Sequence, residues 1–338
     1  MSSPAIRRIA VMTSGGDAPG MNAAIRAITR TALGHGLEVL GFYRGYEGIL
    51  NRDYTMLDYG SVSNIVQRGG TILRSARSRE FRTEAGRRKA AGNLEALDVD
   101  ALMVIGGDGS LHGASLLGRV WEGQIIGLPG TIDNDVYGTD HTIGYFTALD
   151  TAMDAIDKVR DTAEAFERIF LVEVMGRQAG FIALGVAIAG GAEFLLLPDE
   201  PVDLGDLADG ILESRRRGKL SCLVIVAEGA VEAGIPSLDG RSRIRDTATL
   251  AKELEGRLGF GCRAVILGHI QRGGRPAAPD RILASTLGTY AVEVALEGVT
   301  GVMVGMHAHK PGTVSLDEAW SSSRSLDDYE LKVQRTLL

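Results

Sequence analysis

Two short apolar stretches, each ending in a turn that carries acidic residues, constrain this chain more than any other feature. The stretch Ala101–Ile105 runs into Gly106–Ser110, with the sequence GGDGS. The stretch Gln124–Leu128 ends at Pro129-Gly130 and is followed by TIDND, residues 131–135. Apolar runs of this length that stop at turn residues predict buried strands, and open α/β sheets bind ligands at the carboxyl ends of their strands. The two loops are therefore predicted to lie at a ligand-binding edge.

Both loops carry groups suited to a phosphate bound with Mg²⁺. Three glycines within four positions let main-chain N–H groups approach an anion, and the helix predicted over Leu111–Val120 would offer its N-terminus. Asp108 places a hard oxygen ligand there. Asp133 and Asp135 are two positions apart, so in an extended segment they leave the same face, about 7 Å apart, as one base and one metal-facing group. The alternative is an Asx-rich turn with solvated acids.

Strand and helix signals alternate along the rest of the chain, which indicates a parallel α/β protein. The length of 338 residues is enough for two lobes that each bury a core. Besides the strands above, we predict strands over Arg8–Thr13, Leu37–Tyr43, Ile169–Val174, Phe194–Leu197, Leu223–Ala227 and Ala264–Leu267. We predict helices over Arg82–Leu97, Thr147–Arg160, Phe181–Ala189 and Thr247–Leu258, and a polar surface loop over Glu232–Arg245.

The composition excludes several classes of protein. The net charge of -7 argues against a general binder of nucleic acid or of membrane surfaces. No apolar stretch reaches transmembrane length, and the N-terminal sequence MSSPAIRRIAVM lacks the apolar region of a signal peptide. We therefore expect a cytoplasmic protein with no nucleic acid or membrane partner. Cys222 and Cys262 each lie in or beside a strand-like run and are expected to be buried, reduced thiols.

An anionic substrate would then need local clusters of arginine, and the chain has several. Residues 67–79, QRGGTILRSARSR, contain four arginines beside a glycine pair, which are either solvated or suited to bidentate contacts with phosphate. Arg26 and Arg30 are one helical turn apart, so either their shared face is solvated or an anion lies between them. His269 alone favours a structural role, but beside Arg272 in GHIQRGG it favours contact with a polar ligand.

Together these loops hold the groups that phosphoryl transfer requires: main-chain donors, acids for Mg²⁺, a carboxylate base and cations. The motifs TSGGDAPGMNA, GGDGS, PGTIDND, EVMGRQAG and GHIQRGG, in this order between about Ile9 and about Ala291, closely resemble the phosphofructokinase family. The resemblance implies an α/β protein of two doubly wound lobes with largely parallel sheets. It implies a larger nucleotide-binding lobe at residues 1–144 plus about 271–311, and a smaller sugar-phosphate lobe at residues 145–270 plus about 312–338.

The activity implied by this resemblance is phosphorylation of the 1-hydroxyl of fructose 6-phosphate with ATP and Mg²⁺, usually by a homotetramer. Asp133 resembles the base that takes the hydroxyl proton, and Asp108 resembles the Mg²⁺ site, with Asp135 nearby. Thr131, Arg77 and Arg177 resemble the groups that stabilise the transferring phosphoryl group. The positions that match the nucleotide side are Gly16, Tyr46, Arg77, Ser78, Asp108, Gly109 and Ser110. The positions that match the sugar-phosphate pocket are Thr131, Asp133, Asp135, Met175, Gly176, Arg177, Glu228, His269 and Arg272, with Arg168 and Arg263 matching arginines that reach the 6-phosphate from a neighbouring subunit.

Two glycines predict the phosphoryl donor. Relatives that use pyrophosphate carry Asp in place of Gly109, where it would repel an α-phosphate, and Lys in place of Gly130, where it would occupy that phosphate's place. Glycine at both positions leaves room for a whole nucleotide, so we predict ATP. Ser78 stands where bacterial relatives often have an aromatic residue, which leaves GTP and ADP open as donors.

A regulatory site is implied as well. Arg26, Arg30, Arg160, Glu193, Arg217 and Lys219 match the bacterial effector site, which binds ADP or phosphoenolpyruvate between subunits. We therefore expect a homotetramer with shared active and effector sites. Tyr59 stands where relatives have an effector-site arginine, so the identity and sign of the effector stay open. The stretch Glu232–Arg245 resembles an insertion relative to compact bacterial members.

Three alternatives compete with this interpretation. A pyrophosphate-dependent enzyme of the same family is disfavoured by the two glycines. A non-catalytic sugar-phosphate sensor on the same fold would lack Asp108, Asp133 or Arg177, and the chain has all three. A lipid or NAD kinase, suggested by GGDG alone, has no place for PGTIDND or GHIQRGG.

Overall fold

The computed structural model describes residues 6–337, which form two compact units. Unit 1 contains the residues up to Ile132, the segment Val136–Thr147 and the segment Arg272–Arg324. Unit 2 contains Asp133–Asp135, Ala148–Gln271 and the residues from Ser325 onward. Within the described range the chain thus passes between the units five times.

The strands and helices are numbered in chain order. The strands are β1 (Arg8–Thr13), β2 (Glu38–Phe42), β3 (Tyr54–Met56), β4 (Ala101–Gly106), β5 (Gln124–Pro129), β6 (Ile169–Val174), β7 (Phe194–Leu196), β8 (Cys222–Ala227), β9 (Ile235–Pro236), β10 (Arg243–Ile244), β11 (Cys262–Ile266), β12 (Val302–His307) and β13 (Lys310–Ser315). The helices are α1 (Met21–Gly34), α2 (Tyr46–Asn51), α3 (Glu84–Glu95), α4 (Asp108–Gly118), α5 (Tyr145–Phe166), α6 (Phe181–Gly190), α7 (Leu204–Arg216), α8 (Glu228–Ala233), α9 (Thr247–Leu258), α10 (Ala278–Leu296), α11 (Leu316–Ser321) and α12 (Asp328–Thr336). A 3₁₀ turn covers Gly268–Arg272.

Unit 1 is built on a sheet of seven strands in the order β13-β12-β5-β4-β1-β2-β3. The five inner strands run parallel, and β3 and β13 pair antiparallel at the two edges. The chain goes from β1 outward to β2 and β3 and then returns to β4 on the other side of β1. The strand order therefore reverses between β1 and β4, and such reversals are where open α/β sheets bind ligands at their carboxyl edge.

Both faces of this sheet are buried. Leu102 and Val104 of β4 lie in the same core cluster as Met12 of β1 and Phe42 of β2. Met103, on the opposite face of β4, is also 0% exposed. Strands that are covered on both faces need a continuous apolar run rather than an alternating one, which is what β4 has.

Unit 2 has a parallel sheet of four strands in the order β11-β6-β8-β7 and a core of its own. Cys222 and Cys262 belong to that core and are free thiols. Burial raises the pKa of both thiols, for Cys262 to about 12. Both cysteines are therefore protonated at neutral pH, which agrees with the predicted buried, reduced thiols.

The predicted α/β class is confirmed, and three local predictions need correction. Helix α4 begins at Asp108 rather than Leu111, because GGDGS provides the first helical turn instead of a separate loop. The predicted surface loop over residues 232–245 contains a β9–β10 hairpin instead. The predicted lobe boundary near residue 311 falls inside β13, which pairs with β12 of unit 1, and the chain stays in unit 1 as far as Arg324.

Candidate functional site

Three loops meet at the carboxyl edge of the unit 1 sheet, after the neighbouring strands β1, β4 and β5. Main-chain hydrogen bonds join them: Ser14 N donates to Ile105 O at 3.0 Å, and Gly130 N donates to Gly106 O at 3.0 Å. A Cβ on Gly106 would lie 2.6 Å from the Ser14 carbonyl and from Ser110. Glycine at position 106 therefore allows the three loops to pack against each other.

The GGDGS sequence forms the N-terminus of α4. Gly107 is the N-cap residue, and its carbonyl accepts hydrogen bonds from Ser110 N and Leu111 N. Asp108 lies in the first turn and is partly exposed, and a Cβ on Gly109 would meet nothing within 4 Å. The first-turn N–H groups of a helix and its dipole attract anions. This end of α4 can bind a phosphate beside a carboxylate.

Tyr46 supports the helix from behind. Its hydroxyl donates to the Ser110 carbonyl at 2.6 Å, and its ring stacks on Phe81 with centroids 3.8 Å apart. Burial raises the pKa of Tyr46 well above its ordinary value, so the phenol stays neutral. Tyr46 therefore fixes the position of Ser110, another residue predicted on the nucleotide side.

The arginine-rich segment is attached to the same edge. The Thr13 hydroxyl donates to the Arg74 carbonyl at 2.8 Å, and the Ser75 hydroxyl donates to the Gly15 carbonyl at 2.5 Å. Arg77 is exposed just beyond these attachments. Ser78 hydrogen-bonds Glu47, and this bond holds the pKa of Glu47 below its usual range. The attachments keep Arg77 and Ser78 close to the loop that contains Gly16.

Arg272 and Thr131 also belong to unit 1. The Arg272 guanidinium donates to the Asp17 carbonyl at 3.4 Å, and a Cβ on Gly16 would lie 2.7 Å from its Nη1. Thr131 is buried, and its carbonyl accepts from the Thr142 hydroxyl at 2.6 Å. The structure thus brings Gly16 and Arg272 together.

In unit 2, Asp133 and Arg177 form an ion pair. Arg177 Nε lies 3.4 Å from Asp133 Oδ2, and the side chains are 57% and 4% exposed, respectively. The carboxylate is therefore sheltered while the guanidinium remains open to solvent. Asn134 has a φ of 57°, so the segment turns at this residue. The expectation of an extended segment with Asp133 and Asp135 on one face was wrong, because the left-handed residue between them breaks the alternation.

Two side chains that follow the neighbouring strands β8 and β11, Glu228 of α8 and Gln271 of the 3₁₀ turn, hold the loop that contains Arg177. Glu228 Oε1 accepts from Gly176 N at 3.1 Å and from Arg177 N at 2.7 Å. Gln271 Oε1 accepts from Met175 N at 2.8 Å. Both Gly176 and Arg177 have positive φ, at 141° and 51°; glycine adopts this readily, whereas Arg177 does so rarely, and these bonds help to hold it there. The predicted residues Met175, Gly176, Arg177 and Glu228 are thus brought together.

Sequence reasoning assigned no role to two residues that position these loops. Gln271 is fully buried and lies inside the GHIQRGG motif, so the motif was the signal that could have found it. Thr142 is also fully buried, and it lies in no motif. No sequence pattern predicts that its hydroxyl reaches Thr131.

Arg168 and Arg263 lie at the amino ends of the unit 2 strands β6 and β11, away from the carboxyl-edge loops. Arg168 immediately precedes β6 and stacks over the Phe166 ring at 4.7 Å, and Arg263 pairs with Glu255 at 2.7 Å. The length of β6 separates Arg168 from Met175 by about 20 Å at 3.3 Å per residue. These two arginines are therefore not brought together with the loops at the carboxyl ends of the unit 2 strands. His269, in contrast, lies exposed in the 3₁₀ turn at the carboxyl end of β11.

The predicted effector residues fall into one group in each unit. In unit 1, the Arg30 guanidinium lies 5.0 Å from the centre of the Tyr59 ring, and Arg26 is half-buried one turn earlier. In unit 2, Glu193 pairs with Lys219 and accepts from Leu223 N at 2.6 Å. Arg160 donates to the Gly191 carbonyl at 3.1 Å, and Arg217 pairs with Glu213 at 3.3 Å. Arg160, Glu193 and Lys219 thus gather around residues 190–193.

Among residues 6–337 no group of three His, Cys, Asp or Glu side chains is arranged to hold a metal ion. Mg²⁺ at nucleotide sites uses one or two carboxylates plus phosphate oxygens, so the single carboxylate of Asp108 beside a phosphate-binding helix end fits that ion. None of the described helices has the length and apolar character needed to cross a membrane.

Comparison with known sequences gives a consistent result. The sequence model of the family described as "Phosphofructokinase" matches residues 8–295. The chain is 51% identical over 328 residues to "ATP-dependent 6-phosphofructokinase 1" of Clostridium perfringens, covering 96% of this chain and 98% of the relative. It is 49% identical over 332 residues to the protein of the same name from Thermus thermophilus, covering 98% of this chain and 99% of that relative.

Solved structures share the fold. The phosphofructokinase of Saccharomyces cerevisiae superposes with a TM-score of 0.84 at 37% identity, covering 93% of this chain and 45% of the longer yeast chain. The pyrophosphate-dependent phosphofructokinase of Marinobacter aquaeolei superposes with a TM-score of 0.83 at 22% identity, covering 96% of this chain and 86% of that one. At that identity the second likeness concerns the fold alone.

Proposed function

The chain belongs to the phosphofructokinase family, and from this premise we propose that it transfers the γ-phosphoryl group of ATP to the 1-hydroxyl of fructose 6-phosphate. The products are fructose 1,6-bisphosphate and ADP, in the committing step of glycolysis in the cytoplasm. The identity of about 50% over nearly the whole length of relatives named for this activity supports the reaction. The Asp133–Arg177 ion pair is the observation that carries the catalytic assignment.

Asp133 is the proposed base. Its sheltered carboxylate takes the proton of the sugar hydroxyl, the oxygen attacks the γ-phosphorus, and the bond to the ADP oxygen breaks. Arg177 pairs with the carboxylate, and as an exposed cation it can also meet the negative charge of the transferring group. A base beside a cation, held by a loop with little freedom, suits an in-line transfer.

The remaining predicted residues have roles consistent with their surroundings. Gly109 and Ser110, in the first turn of α4, would contact phosphate oxygens of ATP, with Gly16, Arg77 and Ser78 around the nucleotide and Tyr46 supporting the helix from behind. Thr131 and Arg77 would stabilise the transferring phosphoryl group. On the sugar-phosphate side we assign Asp135, Met175, Gly176, Glu228, His269 and Arg272. Unit 1 is then the nucleotide-binding unit, and unit 2 carries most of the sugar-phosphate residues.

Asp108 is the proposed protein ligand of Mg²⁺. Its carboxylate lies in the first turn of α4, where phosphates are expected to bind. When bound, Mg²⁺ supplies charge neutralisation of the phosphate oxygens. Asp108 itself contributes the fixed oxygen that orients the nucleotide complex.

The choice of ATP over pyrophosphate rests on Gly109. Glycine in a helix costs about 1 kcal/mol relative to alanine, and the described residues leave open space around position 109. Packing therefore does not require glycine there, whereas room for a nucleotide does. Gly130 is weaker support, because a Cβ at that position would lie 2.8 Å from Ile105 and packing alone requires glycine.

A coupled assay with fructose 6-phosphate and Mg²⁺ tests the donor directly, with ATP, GTP, ADP and pyrophosphate in parallel. We expect turnover with ATP and none with pyrophosphate. Turnover with pyrophosphate alone would overturn the Gly109 argument. No turnover with any donor would favour a sugar-phosphate sensor on the same fold.

We further propose a homotetramer with shared active and effector sites. Arg168 and Arg263 lie away from their own unit's carboxyl-edge loops, which supports a role toward the 6-phosphate of a neighbouring subunit. Sedimentation velocity measures the assembly. A monomer with full turnover would exclude the shared active site.

For the effector site we propose a phosphorylated ligand bound between subunits by Arg26, Arg30, Arg160, Arg217 and Lys219, with Glu193 nearby. The Lys219–Glu193 pair and the contact between Arg30 and Tyr59 support this proposal, because they are preformed arrangements of these cations. Arg26→Ala should abolish the response of turnover to ADP or phosphoenolpyruvate. An unchanged response to both ligands in Arg26→Ala would show that Arg26 is not part of an effector site.

A further inference from the structure

Asp280 is a fully buried carboxylate outside the set of residues assigned to the reaction. It lies in the first turn of α10 and is 0% exposed. Its Oδ1 accepts from Gly144 N at 2.9 Å, and its Oδ2 accepts from Thr147 N at 2.7 Å and from the Thr147 hydroxyl at 2.5 Å. Burying a carboxylate is costly unless strong hydrogen bonds compensate, so such a residue needs a reason.

The donors to Asp280 belong to the start of α5. The Thr147 hydroxyl also accepts from Ala277 N at 2.9 Å, which ties the beginning of α10 to the beginning of α5. Burial raises the pKa of Asp280, and the hydrogen bonds from Thr147 and Gly144 oppose that rise. The N-terminal end of a helix also stabilises a negative charge. Asp280 thus clamps residues 144–147 to α10.

Residues 142–144, just before the clamp, run beside the end of β5. Ile143 N donates to the Pro129 carbonyl at 2.8 Å, and Ile143 forms a parallel bridge with Gly130. One residue earlier, the Thr142 hydroxyl donates to the Thr131 carbonyl at 2.6 Å. The segment therefore acts as a short extra strand that supports the TIDND loop.

The same segment supports the loop after β1. A Cβ on Gly20 would lie 2.7 Å from Ile143 Cγ2, and a Cβ on Gly144 would lie 2.7 Å from Ala18 Cβ. The missing Cβ of each glycine allows this close approach. Gly20 and Gly144 also have positive φ, at 113° and 111°, which glycine adopts without strain. Two of the three carboxyl-edge loops of unit 1 thus rest on residues 142–144.

We propose that Asp280 is a positioning residue for phosphoryl transfer. By clamping residues 144–147, it fixes residues 142–144, and these fix Thr131 and the loop that leads to Asp133. The effect on turnover rests on the proposed function, whereas the effect on the loop does not. A residue that only capped α5 would stabilise the fold without affecting the geometry of the loop.

Asp280→Asn tests the proposal, because the amide keeps one acceptor oxygen but turns an N–H₂ group toward a main-chain donor. We expect kcat to fall about 100-fold at a temperature where the variant is folded, with each KM changed less than about 3-fold, because small misplacements of reacting groups cost about this much. Amide hydrogen exchange of the ligand-free protein should speed up in peptides covering residues 129–135.

Asp100→Asn is the matched control. The Asp100 carboxylate also accepts two main-chain hydrogen bonds in unit 1, from Arg7 N at 2.7 Å and Arg8 N at 2.9 Å, but at the amino end of β1. We expect this variant to lose stability and keep kcat within about 2-fold. Equal losses of kcat in the two variants, or an Asp280→Asn variant with normal kcat and normal exchange, would overturn the proposal.

If Asp280→Asn does not fold, Thr147 supplies a milder pair of variants. Thr147→Val removes the hydroxyl that bonds Asp280 and Ala277, and Thr147→Ser keeps it. We expect about a 10-fold lower kcat and faster exchange at residues 129–135 for the first variant only. Identical behaviour of the two variants would contradict the clamp. Turnover of the unmodified protein in the same assay tests the proposed function separately.

Discussion

The carboxyl-edge loops of the two sheets are held by different sets of contacts. In unit 1, main-chain bonds such as Gly130 N to Gly106 O and tightly packed glycines join the loops to each other, and the side chains of Thr142 and Asp280 support them. In unit 2, the side chains of Glu228 and Gln271 fix the loop that contains Arg177. In unit 1 the packed loops leave the N-terminus of α4 available for phosphates. In unit 2 the side-chain bonds set the direction of the Arg177 guanidinium toward Asp133. Under the proposed function, unit 1 presents most of the nucleotide-binding groups, and unit 2 presents the proposed base Asp133 with its partner Arg177.

Asp133→Ser is the variant with the largest expected effect on this comparison. We expect kcat to fall about 10³-fold or more, because the proposed base is lost, while the KM values for ATP and fructose 6-phosphate change little. Steady-state kinetics measure both. Near-normal turnover would show that the chemistry does not depend on the side chains of unit 2.

Gly106→Ala and Gly109→Ala form the next test, on the backbone-held side. The first variant adds a Cβ at 2.6 Å from neighbouring atoms and should lower the free energy of unfolding by about 1–3 kcal/mol. The second adds a Cβ in open space on a helix and should raise stability slightly while raising the KM for ATP about 10-fold. Denaturant titration and kinetics separate the two. An unchanged KM for ATP in Gly109→Ala would mean that the nucleotide binds elsewhere.

Glu228→Gln tests the side-chain-held loop. The variant keeps an acceptor oxygen but loses the charge that strengthens its bonds to Gly176 N and Arg177 N, so kcat/KM for fructose 6-phosphate should fall about 10-fold. Glu232→Gln, one turn later on α8, is the control and should have no such effect. If the KM for ATP changed instead, the division of roles between the units would be wrong.

The smallest expected effect is a pH dependence from Glu173, on β6 below the same loop. Burial raises the pKa of Glu173 in the folded state, so the carboxyl group favours folding when protonated, and this contribution is lost as the pH rises through the raised pKa. Relative to Glu173→Gln, the free energy of unfolding of the unmodified protein should fall by less than about 1 kcal/mol between about pH 4 and neutral pH, because the group is partly exposed. If the free energy of unfolding of the two proteins changed in parallel with pH, the raised pKa of Glu173 would be contradicted.

Much of the fold could be predicted because its strands are continuous apolar runs. The predicted bounds of Arg8–Thr13, Ile169–Val174 and Thr247–Leu258 coincide with β1, β6 and α9. The start of α4 could not be placed, because glycine, aspartate and serine have low helix propensity and mask a helical turn. An acidic residue in the first turn, such as Asp108, is nevertheless favoured by the helix dipole.

The motifs predicted which residues to consider, but not how the site is held. Glu228 was predicted as a ligand of the sugar phosphate, and its carboxylate also accepts two main-chain bonds. Asn134 was predicted to continue an extended segment, and its left-handed φ creates a turn instead. Such contacts depend on long-range packing between segments, which spacing within a motif does not contain.

The assignment of Asp133–Asp135 to unit 2, inside a stretch of unit 1, has a consequence for building chimaeras of related genes. A single junction at residue 147, which looks like a natural boundary in the sequence, would take Asp133 from one parent and its partner Arg177 from the other. Exchange of a whole unit requires junctions at all five crossings. A working chimaera of this chain must therefore take all separate segments of unit 2 from the same parent, including the three residues Asp133–Asp135.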